Sequence, residues 1–474
     1  MSKNATLNAD VRIEHDLIGE RAVPAEAYYG VQTARAIDNF HISGVPLYHY
    51  PELIKANAMV KLAAARANRD CGLLTDEILR GITGACEELI AGKLHEQFPL
   101  DVFQGGAGTS TNMNVNEVIA NRGLEILGHR KGEYEFCDPH NHVNCSQSTN
   151  DAYPSALKLA MALANRDLVA EIGGLVADLR AKAAEFRHII KMGRTQLQDA
   201  VPMTLGQEFG AWAASLENEI EALKQMSVLL LTVNMGGTAI GTGLNAPEDY
   251  PERCVVHLVQ ITGMPIRLAT NLIEATQDTQ PFVIYSAGMK SLAIKLSKIC
   301  NDLRLLSSGP RCGLHEINLP PMQPGSSIMP GKVNPVIPEV VNQVCFRVIG
   351  NDLTVTMAAE AGQLQLNVME PVIGLAILES IKLFRNAAHT LRHNCVRGIT
   401  ANEERCRLGV EHSIGVVTAL NPYLGYDVCT DLAAEALRSN RGIVELVRER
   451  KLLTEDQIRD MLNPEKMLGP MRRI

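Results

Sequence analysis

The chain of 474 residues is poor in aromatic side chains, in closely spaced cysteine pairs and in long apolar runs. Aromatic residues make up only 4% of it, with Trp212 as the single tryptophan. A core with so few aromatic rings must be filled by Leu, Ile, Val, Met and Ala, which suits packed helices. The hydrophobic fraction of 46% and the charged fraction of 21% are ordinary for a globular protein.

Several absences exclude classes of function. None of the eleven cysteines forms a CxxC pair, so neither a zinc site nor a disulfide framework is predicted. The formal net charge of -8 argues against nucleic acid or an anionic membrane as a partner. Residues 1–16 lack an apolar signal segment, and no apolar run approaches the roughly 20 residues of a membrane span. A reducing cytoplasm is therefore the expected compartment.

Known nucleotide and metalloprotease motifs are missing as well. The sequence contains no P-loop and no HExxH. The glycine-rich stretch 236–243 lacks the glycine spacing and the strand–helix unit of a dinucleotide site, so it is predicted to be a turn.

Apolar residues recur at alternating spacings of three and four in long stretches of the middle of the chain. Such seams cover residues 157–179, 209–230 and 292–306, and two further helical patterns cover 338–363 and 371–395. This periodicity is typical of long helices that pack at shallow angles. We therefore predict a mainly α protein built around a bundle of five long helices.

The regions on either side of the bundle have shorter elements. The pattern predicts helices over 52–69, 75–91, 114–127, 429–439 and 443–450. Thr454 and Gln457 have the spacing of a capping box. The predicted domains are an N-terminal domain (1–145), the central helical bundle (146–398) and a small C-terminal helical domain (399–474), whose basic end is predicted to be a solvated tail.

Four polar segments lie at the ends of helical patterns, at residues 104–114, 144–151, 193–202 and 325–335. Taken alone, each segment is explained by an ordinary turn or helix cap. Together they offer hydroxyl, amide and ammonium groups that can bind carboxylates at helix starts. A serine in such a place can also take a proton if its surroundings shift its pKa.

The segment 325–335, GSSIMPGKVNP, resembles the signature loop GSSxMPxKxN of the fumarase/aspartase superfamily at every fixed position. Four further segments resemble sequence motifs of the aspartase branch: GGAGTS at 105–110, STNDAYP at 148–154, QLQDAVPMTLGQEF at 196–209 and PEVVNQVCF at 338–346. Fumarases are expected to carry GSGT, SSND and THLQDA instead. The resemblance covers almost the whole chain, and it implies a homotetramer whose helices form one shared multi-helix core, with each active site built from three chains.

The resemblance implies a reversible anti elimination of ammonia from L-aspartate that gives fumarate, with Ser326 as the general base on a mobile loop. The carboxylate next to the abstracted proton would be bound by Thr109, Ser148, Thr149 and Ser327. The departing amino group would be held by Thr109, Thr149 and Asn150. The other carboxylate would be bound by Thr195, Lys332 and Asn334. The substrate partners are thus small dicarboxylates.

One position departs from the commonest family pattern. Many members carry His where this chain has Gln196, which is counted here among the substrate-binding residues, and pair it with a glutamate that corresponds to Glu339. Because Gln cannot titrate, the identity of any general acid is open. Ammonia can leave from an ammonium substrate without a dedicated acid. No cofactor is expected to be required, and a divalent cation such as Mg²⁺ is left open as an activator.

Two alternative functions are compatible with the sequence. The class II fumarase branch performs the same elimination with water in place of ammonia. A non-catalytic structural protein on this fold, like the lens crystallins related to argininosuccinate lyase, is the alternative of another class. Intact Ser326, Lys332 and Asn334 argue against the structural role.

Overall fold

The computed structural model describes residues 10–461, and it confirms the predicted mainly α class. The helices of the first half of the chain are α1 (Val31–Asn39), α2 (Pro51–Asp70), α3 (Asp76–Ile90), α4 (Thr109–Leu127), α5 (Thr149–Glu185), α6 (Leu205–Ser227), α7 (Tyr250–Thr262) and α8 (Leu272–Gln277). Those of the second half are α9 (Gln280–Leu306), α10 (Val336–Glu360), α11 (Glu370–Asn394), α12 (Glu403–His412), α13 (Val417–Leu424), α14 (Tyr426–Ser439), α15 (Ile443–Glu449) and α16 (Glu455–Met461).

The strands are short and form two-stranded pairs. They are β1 (Val11–Asp16), β2 (Gly19–Pro24), β3 (Ile190–Thr195), β4 (Gln198–Thr204), β5 (Thr232–Val233), β6 (Arg267–Leu268), β7 (Ile317–Asn318) and β8 (Thr400–Ala401). Strands β1 and β2 pair antiparallel, as do β3 with β4 and β7 with β8, whereas β5 and β6 are parallel. The β3–β4 hairpin matters for function because its tip carries one of the polar segments.

The described chain divides into two compact units, and the five long helices contribute to both. The first unit comprises residues up to 169 together with 221–291 and 347–383, and the second comprises 170–220, 292–346 and residues from 384 onward. Helices α5, α6, α9, α10 and α11 contain 37, 23, 27, 25 and 25 residues. All five exceed the usual helix of about 11–12 residues, as the long apolar seams predict.

Close helix packing in the first unit depends on small residues and buried polar contacts. A Cβ placed on Gly374 of α11 would lie 2.6 Å from Leu157 Cδ2 of α5, so the two helices approach closely at this point. Tyr285 of α9 donates its hydroxyl to Asn165 Oδ1 of α5 at 2.8 Å, and both side chains are buried. These contacts fix the register of α5 against its neighbours.

In the second unit, the C-terminal helices pack against the β3–β4 hairpin. Leu432, Ile443 and Leu446 are buried in a common apolar cluster that also contains Met192 of β3. The hydroxyl of Ser413 donates to Asp199 Oδ2 of β4 at 2.8 Å. The hairpin is therefore held by a core of its own.

The predicted helices are present, and several of their boundaries differ from the predicted ones, including the start of α14 at Tyr426 instead of 429. Helix α4 begins at Thr109 instead of 114 because Gly108, at φ +89°, turns the chain directly into the helix. Helix α6 ends at Ser227, and Leu230 lies in a following 3₁₀ turn. Helix α10 ends at Glu360 instead of 363, where the amide of Asn367 donates to the carbonyls of two residues in the last turn.

The predicted capping box is also confirmed. Thr454 accepts from the backbone N–H of Gln457 at 3.3 Å, and Gln457 Oε1 accepts from the backbone N–H of Thr454 at 2.8 Å, which is a capping box. None of the helices within residues 10–461 combines the length and apolar character that a bilayer span needs. The three-domain division stays a prediction. Residues 1–9 and the basic C-terminal tail, within 462–474, lie outside the described residues.

Candidate active site

In the first unit, the segment 104–114 forms the start of α4 and places Thr109 at the first helical position. Gly108 is required there, because its φ of +89° is unfavourable for other residues and a Cβ would lie 2.4 Å from Cδ1 of Tyr153. One turn into the helix, the amide of Asn112 donates to Thr149 Oγ1 at 3.2 Å. The helix start with Thr109 is thereby joined to the start of α5.

The segment 144–151 forms the start of α5, with Thr149 as its first residue. Ser148 Oγ accepts from the backbone N–H of Asn150 at 3.2 Å, as a capping hydroxyl does. The side-chain amide of Asn150 donates to the carbonyl of Ala239 at 2.7 Å. Ser148 and Ala239 also line a cavity of about 180 Å³ with residues 146–147 and 244–245. Of the predicted site residues in these two segments, Ser148 lines the cavity, and the contact between Asn112 and Thr149 joins the segments to each other.

Asp151 is a buried carboxylate in the first turn of α5. It is fully buried and accepts backbone hydrogen bonds from Ser148 at 2.9 Å, Gly236 at 3.1 Å and Thr238 at 3.0 Å. Burial raises the pKa of Asp151 to about 6, although the three amide donors act in the opposite direction. The carboxylate thus fastens the predicted binding segment to the turn at 236–239, which the structure confirms as a turn.

Lys61 of α2 is a second buried charged residue under the same segment. Its ammonium donates to Asn144 Oδ1 at 3.0 Å and to Gln147 Oε1 at 2.9 Å. Burial lowers the pKa of Lys61 to about 7, and the nearby carboxylate of Asp151 limits that fall. Lys61 and Asp151 therefore hold the loop before α5 from opposite ends.

In the second unit, the segment 193–202 forms the tip of the β3–β4 hairpin. Thr195 is the last residue of β3 and is exposed, as is Gln196. Gln196 and Leu197 form the two-residue turn with φ values of 55° and 61°, a backbone that favours Gly or Asn. Keeping two other residues in this conformation stores strain, a feature that is frequent at functional sites.

A buried ion-pair cluster fixes the base of this hairpin. Lys191 Nζ lies 2.5 Å from Glu208 Oε2 and 2.9 Å from Glu316 Oε2. Glu316 also pairs through Oε1 with Arg194 at 2.7 Å, directly before Thr195. Because Lys191 and Glu316 are both buried, the cluster is costly to break. It connects the hairpin to the strand β7 that precedes the signature loop.

The segment 325–335 is a loop, as predicted. Its base is closed by the backbone bond from Gly325 N–H to the carbonyl of Lys332 at 2.7 Å and by the amide of Asn334, which donates to the carbonyl of Gly325 at 2.7 Å. Ser326 and Lys332 line a cavity of about 500 Å³, while Ser327 is exposed. Among residues 10–461, no hydrogen bond joins this loop to Thr195 or Gln196.

The hydroxyl of Ser326 accepts two backbone hydrogen bonds inside the loop. The donors are the N–H groups of Ile328 at 3.2 Å and Met329 at 3.0 Å. Donors aimed at an oxygen favour its anionic form over the neutral hydroxyl. The backbone of the loop therefore supplies part of the stabilisation that an anionic serine base needs.

Comparison with known proteins identifies the relatives of this chain. The family model described as Lyase matches residues 19–350, and the model described as Fumarase C C-terminus matches residues 416–469. A protein of Pseudomonas aeruginosa named aspartate ammonia-lyase is 60% identical over 463 residues, which are 98% of each chain. The chain belongs to the fumarase/aspartase superfamily. A protein of the same name from Escherichia coli K12 is 54% identical over 468 residues, 98% of this chain and 97% of the other.

Solved structures of the superfamily share the whole fold. Fumarate lyase:delta crystallin from Brucella melitensis superimposes with a TM-score of 0.94 at 53% identity, over 97% of this chain and all of the other. A class II fumarase from Schistosoma mansoni superimposes with a TM-score of 0.91 at 35% identity, over 98% of this chain and all of the other. The fold is therefore shared across the fumarase/aspartase superfamily, including relatives with different names.

The sequence alone does not reveal the buried residues that contact the polar segments. Lys61 lies inside the helical pattern predicted over 52–69, and a lysine among its many alanines is the signal that the sequence offers. Asp151 was noted only as part of a capping segment. The four-residue ion-pair cluster was missed because its members are distant in sequence. Glu339, the partner of the absent family histidine, lies in the first turn of α10.

We predict that Gly108→Ala lowers the melting temperature and disturbs the start of α4. The new Cβ would overlap the Tyr153 ring, and the left-handed backbone costs roughly 1–2 kcal/mol for a residue other than glycine. Gly105→Ala is the matched control, because Gly105 has an ordinary φ and its Cβ would meet nothing within 4 Å. Thermal unfolding of both variants measures the difference in melting temperature. Equal melting temperatures would contradict the requirement for glycine at position 108.

Proposed function

We propose that this chain is an ammonia-lyase that converts L-aspartate to fumarate and ammonia. The observation that carries the proposal is the identity of 54–60%, over nearly the full length, with proteins named aspartate ammonia-lyase. The fumarase whose structure matches is less similar, at 35% identity. Fumarate hydration is therefore the alternative that the assay must exclude.

The reaction begins with the transfer of a proton from the carbon beside one carboxylate to Ser326 Oγ. The electron pair left on carbon passes into that carboxylate, which becomes a dianion. The pair then returns to form the carbon–carbon double bond, while the carbon–nitrogen bond breaks and its electrons leave with neutral ammonia. The two N–H donors on Ser326 support its role as the base, because they favour the anionic oxygen that accepts the proton.

The dianionic carboxylate dominates the barrier, so fixed hydrogen-bond donors contribute most to catalysis. We assign these donors to Thr109, Ser148 and Thr149, with Ser327 from the loop. The contact between Asn112 and Thr149 and the carboxylate of Asp151 beneath Ser148 support this assignment, since both fix the donors before substrate binds.

The remaining groups of the substrate are assigned to the other predicted residues. Asn150, with Thr109 and Thr149, holds the amino group that leaves. Thr195, Gln196, Lys332 and Asn334 bind the second carboxylate, where the exposed ammonium of Lys332 supplies the positive charge. Gln196 acts as a hydrogen-bonding group only, because its side chain cannot titrate. Ammonia then leaves without a dedicated acid.

We further propose that the active protein is a homotetramer with each active site built from three chains. Helix α10 supports an assembly, because Ile349, Leu353 and Met357 recur on one face with exposed fractions of 36%, 61% and 65%. Apolar faces of this kind mark contacts with other protein surfaces. The eleven cysteines carry no disulfide, which supports the cytoplasm as compartment. No cofactor is proposed, and Mg²⁺ stays a candidate activator; neither nucleic acid nor a membrane is proposed as a partner.

The first prediction of this proposal concerns the substrate. L-Aspartate should yield fumarate and ammonia, and L-malate should yield fumarate slowly or not at all. Both reactions are followed by the ultraviolet absorbance of fumarate with the same enzyme preparation. Faster conversion of L-malate than of L-aspartate would establish the fumarase alternative instead.

The second prediction concerns the base. Ser326→Ala should lower kcat by about 100- to 10,000-fold, the range expected for loss of a general base. The melting temperature should stay nearly unchanged, because the side chain lies in a partly exposed loop. Ser327→Ala is the matched control in the same loop and should be milder, since that hydroxyl only assists carboxylate binding. If Ser326→Ala keeps more than about a tenth of the wild-type kcat, another residue is the base.

A further inference from the structure

Helices α5 and α11 bring together three side chains that can bind a metal ion. One ligand atom each from Glu171, His389 and His393 lies within 4.8 Å of the other two. The two histidines are four residues apart on α11 and so share a helix face, with ring centroids 4.2 Å apart. Glu171 of α5 faces them, and its Oε1 lies 3.6 Å from His389 Nδ1.

We propose that Glu171, His389 and His393 form a binding site for a divalent transition metal ion such as Zn²⁺. Two imidazoles and one carboxylate are a usual protein ligand set for zinc, and a water completes the tetrahedron. Zinc bonds of about 2.0–2.1 Å place tetrahedral ligands roughly 3.4 Å apart, so small rotations of exposed histidine side chains close the site. Mg²⁺ prefers oxygen ligands and is not the ion that this set selects.

The charged groups around the site balance each other. Arg392 contacts Glu171 Oε1 at 2.7 Å and Asp178 Oδ2 at 3.0 Å. Arg397 contacts the same Asp178 oxygen at 2.9 Å. The two guanidinium groups are thus matched by two carboxylates, and the cluster presents no net positive charge to a cation. Because Arg392 donates to Oε1, we assign Oε2 of Glu171 as the metal ligand.

Arg397 controls access to the site. Its Nη1 donates to His393 Nδ1 at 3.0 Å, which leaves the proton of a neutral imidazole on Nε2. This hydrogen bond opposes a metal ion at either ring nitrogen, since one nitrogen is occupied and the other is protonated. The side chain of Arg397 is 47% exposed and can swing into solvent. Binding of the ion therefore competes with this hydrogen bond, and removal of Arg397 should tighten it.

The bound ion would tie the C-terminal half of α5 to that of α11. Its ligands come from two helices that are distant in sequence, so binding favours the folded state over the unfolded chain. The expected consequence is a higher melting temperature in the presence of Zn²⁺. This consequence does not depend on the catalytic proposal.

The test is Zn²⁺ binding to the full-length protein after treatment with EDTA, followed by titration calorimetry and thermal unfolding. The exposed thiol of Cys312 can also bind zinc, so all variants carry Cys312→Ser. His389→Ala and His393→Ala should each weaken Zn²⁺ binding by more than about tenfold. Tenfold is about the smallest loss of metal affinity that follows replacement of a residue that only contacts a metal ligand. Arg397→Gln should strengthen Zn²⁺ binding. His41→Ala removes an exposed histidine elsewhere and should leave it unchanged.

The proposal is overturned if the protein that carries only Cys312→Ser shows no Zn²⁺ binding, or if both histidine variants bind Zn²⁺ as tightly as that protein does. Weaker binding by Arg397→Gln would also overturn it, because that result assigns Arg397 a supporting role. Circular dichroism and metal-free melting temperatures show whether each variant is folded. Both histidines are exposed, so their replacement should not affect folding.

Discussion

The proposed substrate-binding segments of the first unit depend on the buried carboxylate of Asp151. A lone buried carboxylate is unfavourable, and here three backbone N–H groups from two segments compensate for the lost hydration. Those segments are the start of α5, with Ser148, and the turn at 236–239. Because the carboxylate needs all three donors, it holds the two segments in one arrangement. The hydroxyl and amide groups proposed to bind substrate are thereby placed before substrate arrives.

In the second unit, a buried positive charge joins separate segments of the chain. Lys191 is buried between Glu208 and Glu316, and Glu316 also contacts Arg194 beside Thr195. Charged groups of this kind contribute little to net stability, but removal of one partner is costly. Their contacts join the base of the hairpin that carries Thr195 to Glu316. The strained turn at Gln196 and Leu197 lies next to this cluster, because Arg194 precedes it by two residues.

Much of the fold is predictable from the sequence, because long helices have a period that their apolar residues reveal. Three apolar seams and two further helical patterns locate all five long helices, and Thr454 with Gln457 reveals a capping box. The β3–β4 hairpin was not predicted, because its turn lacks glycine and asparagine and β4 contains Pro202. The site segments are visible as polar stretches between helices. The groups that position them are not, because Lys61 and Asp151 acquire their roles only through contacts distant in sequence.

Kinetics of Asp151→Asn test this account most directly. An asparagine offers one acceptor oxygen, so at least one backbone N–H of Ser148, Gly236 or Thr238 would face an NH₂ group. The account predicts a fall of about 100-fold in kcat/KM for L-aspartate, the loss that misplaced binding groups cause. Asp352→Asn is the control, because Asp352 is also buried but contacts Ser286 and Lys290. A folded Asp151→Asn protein with kcat/KM within about threefold of wild type would contradict the account.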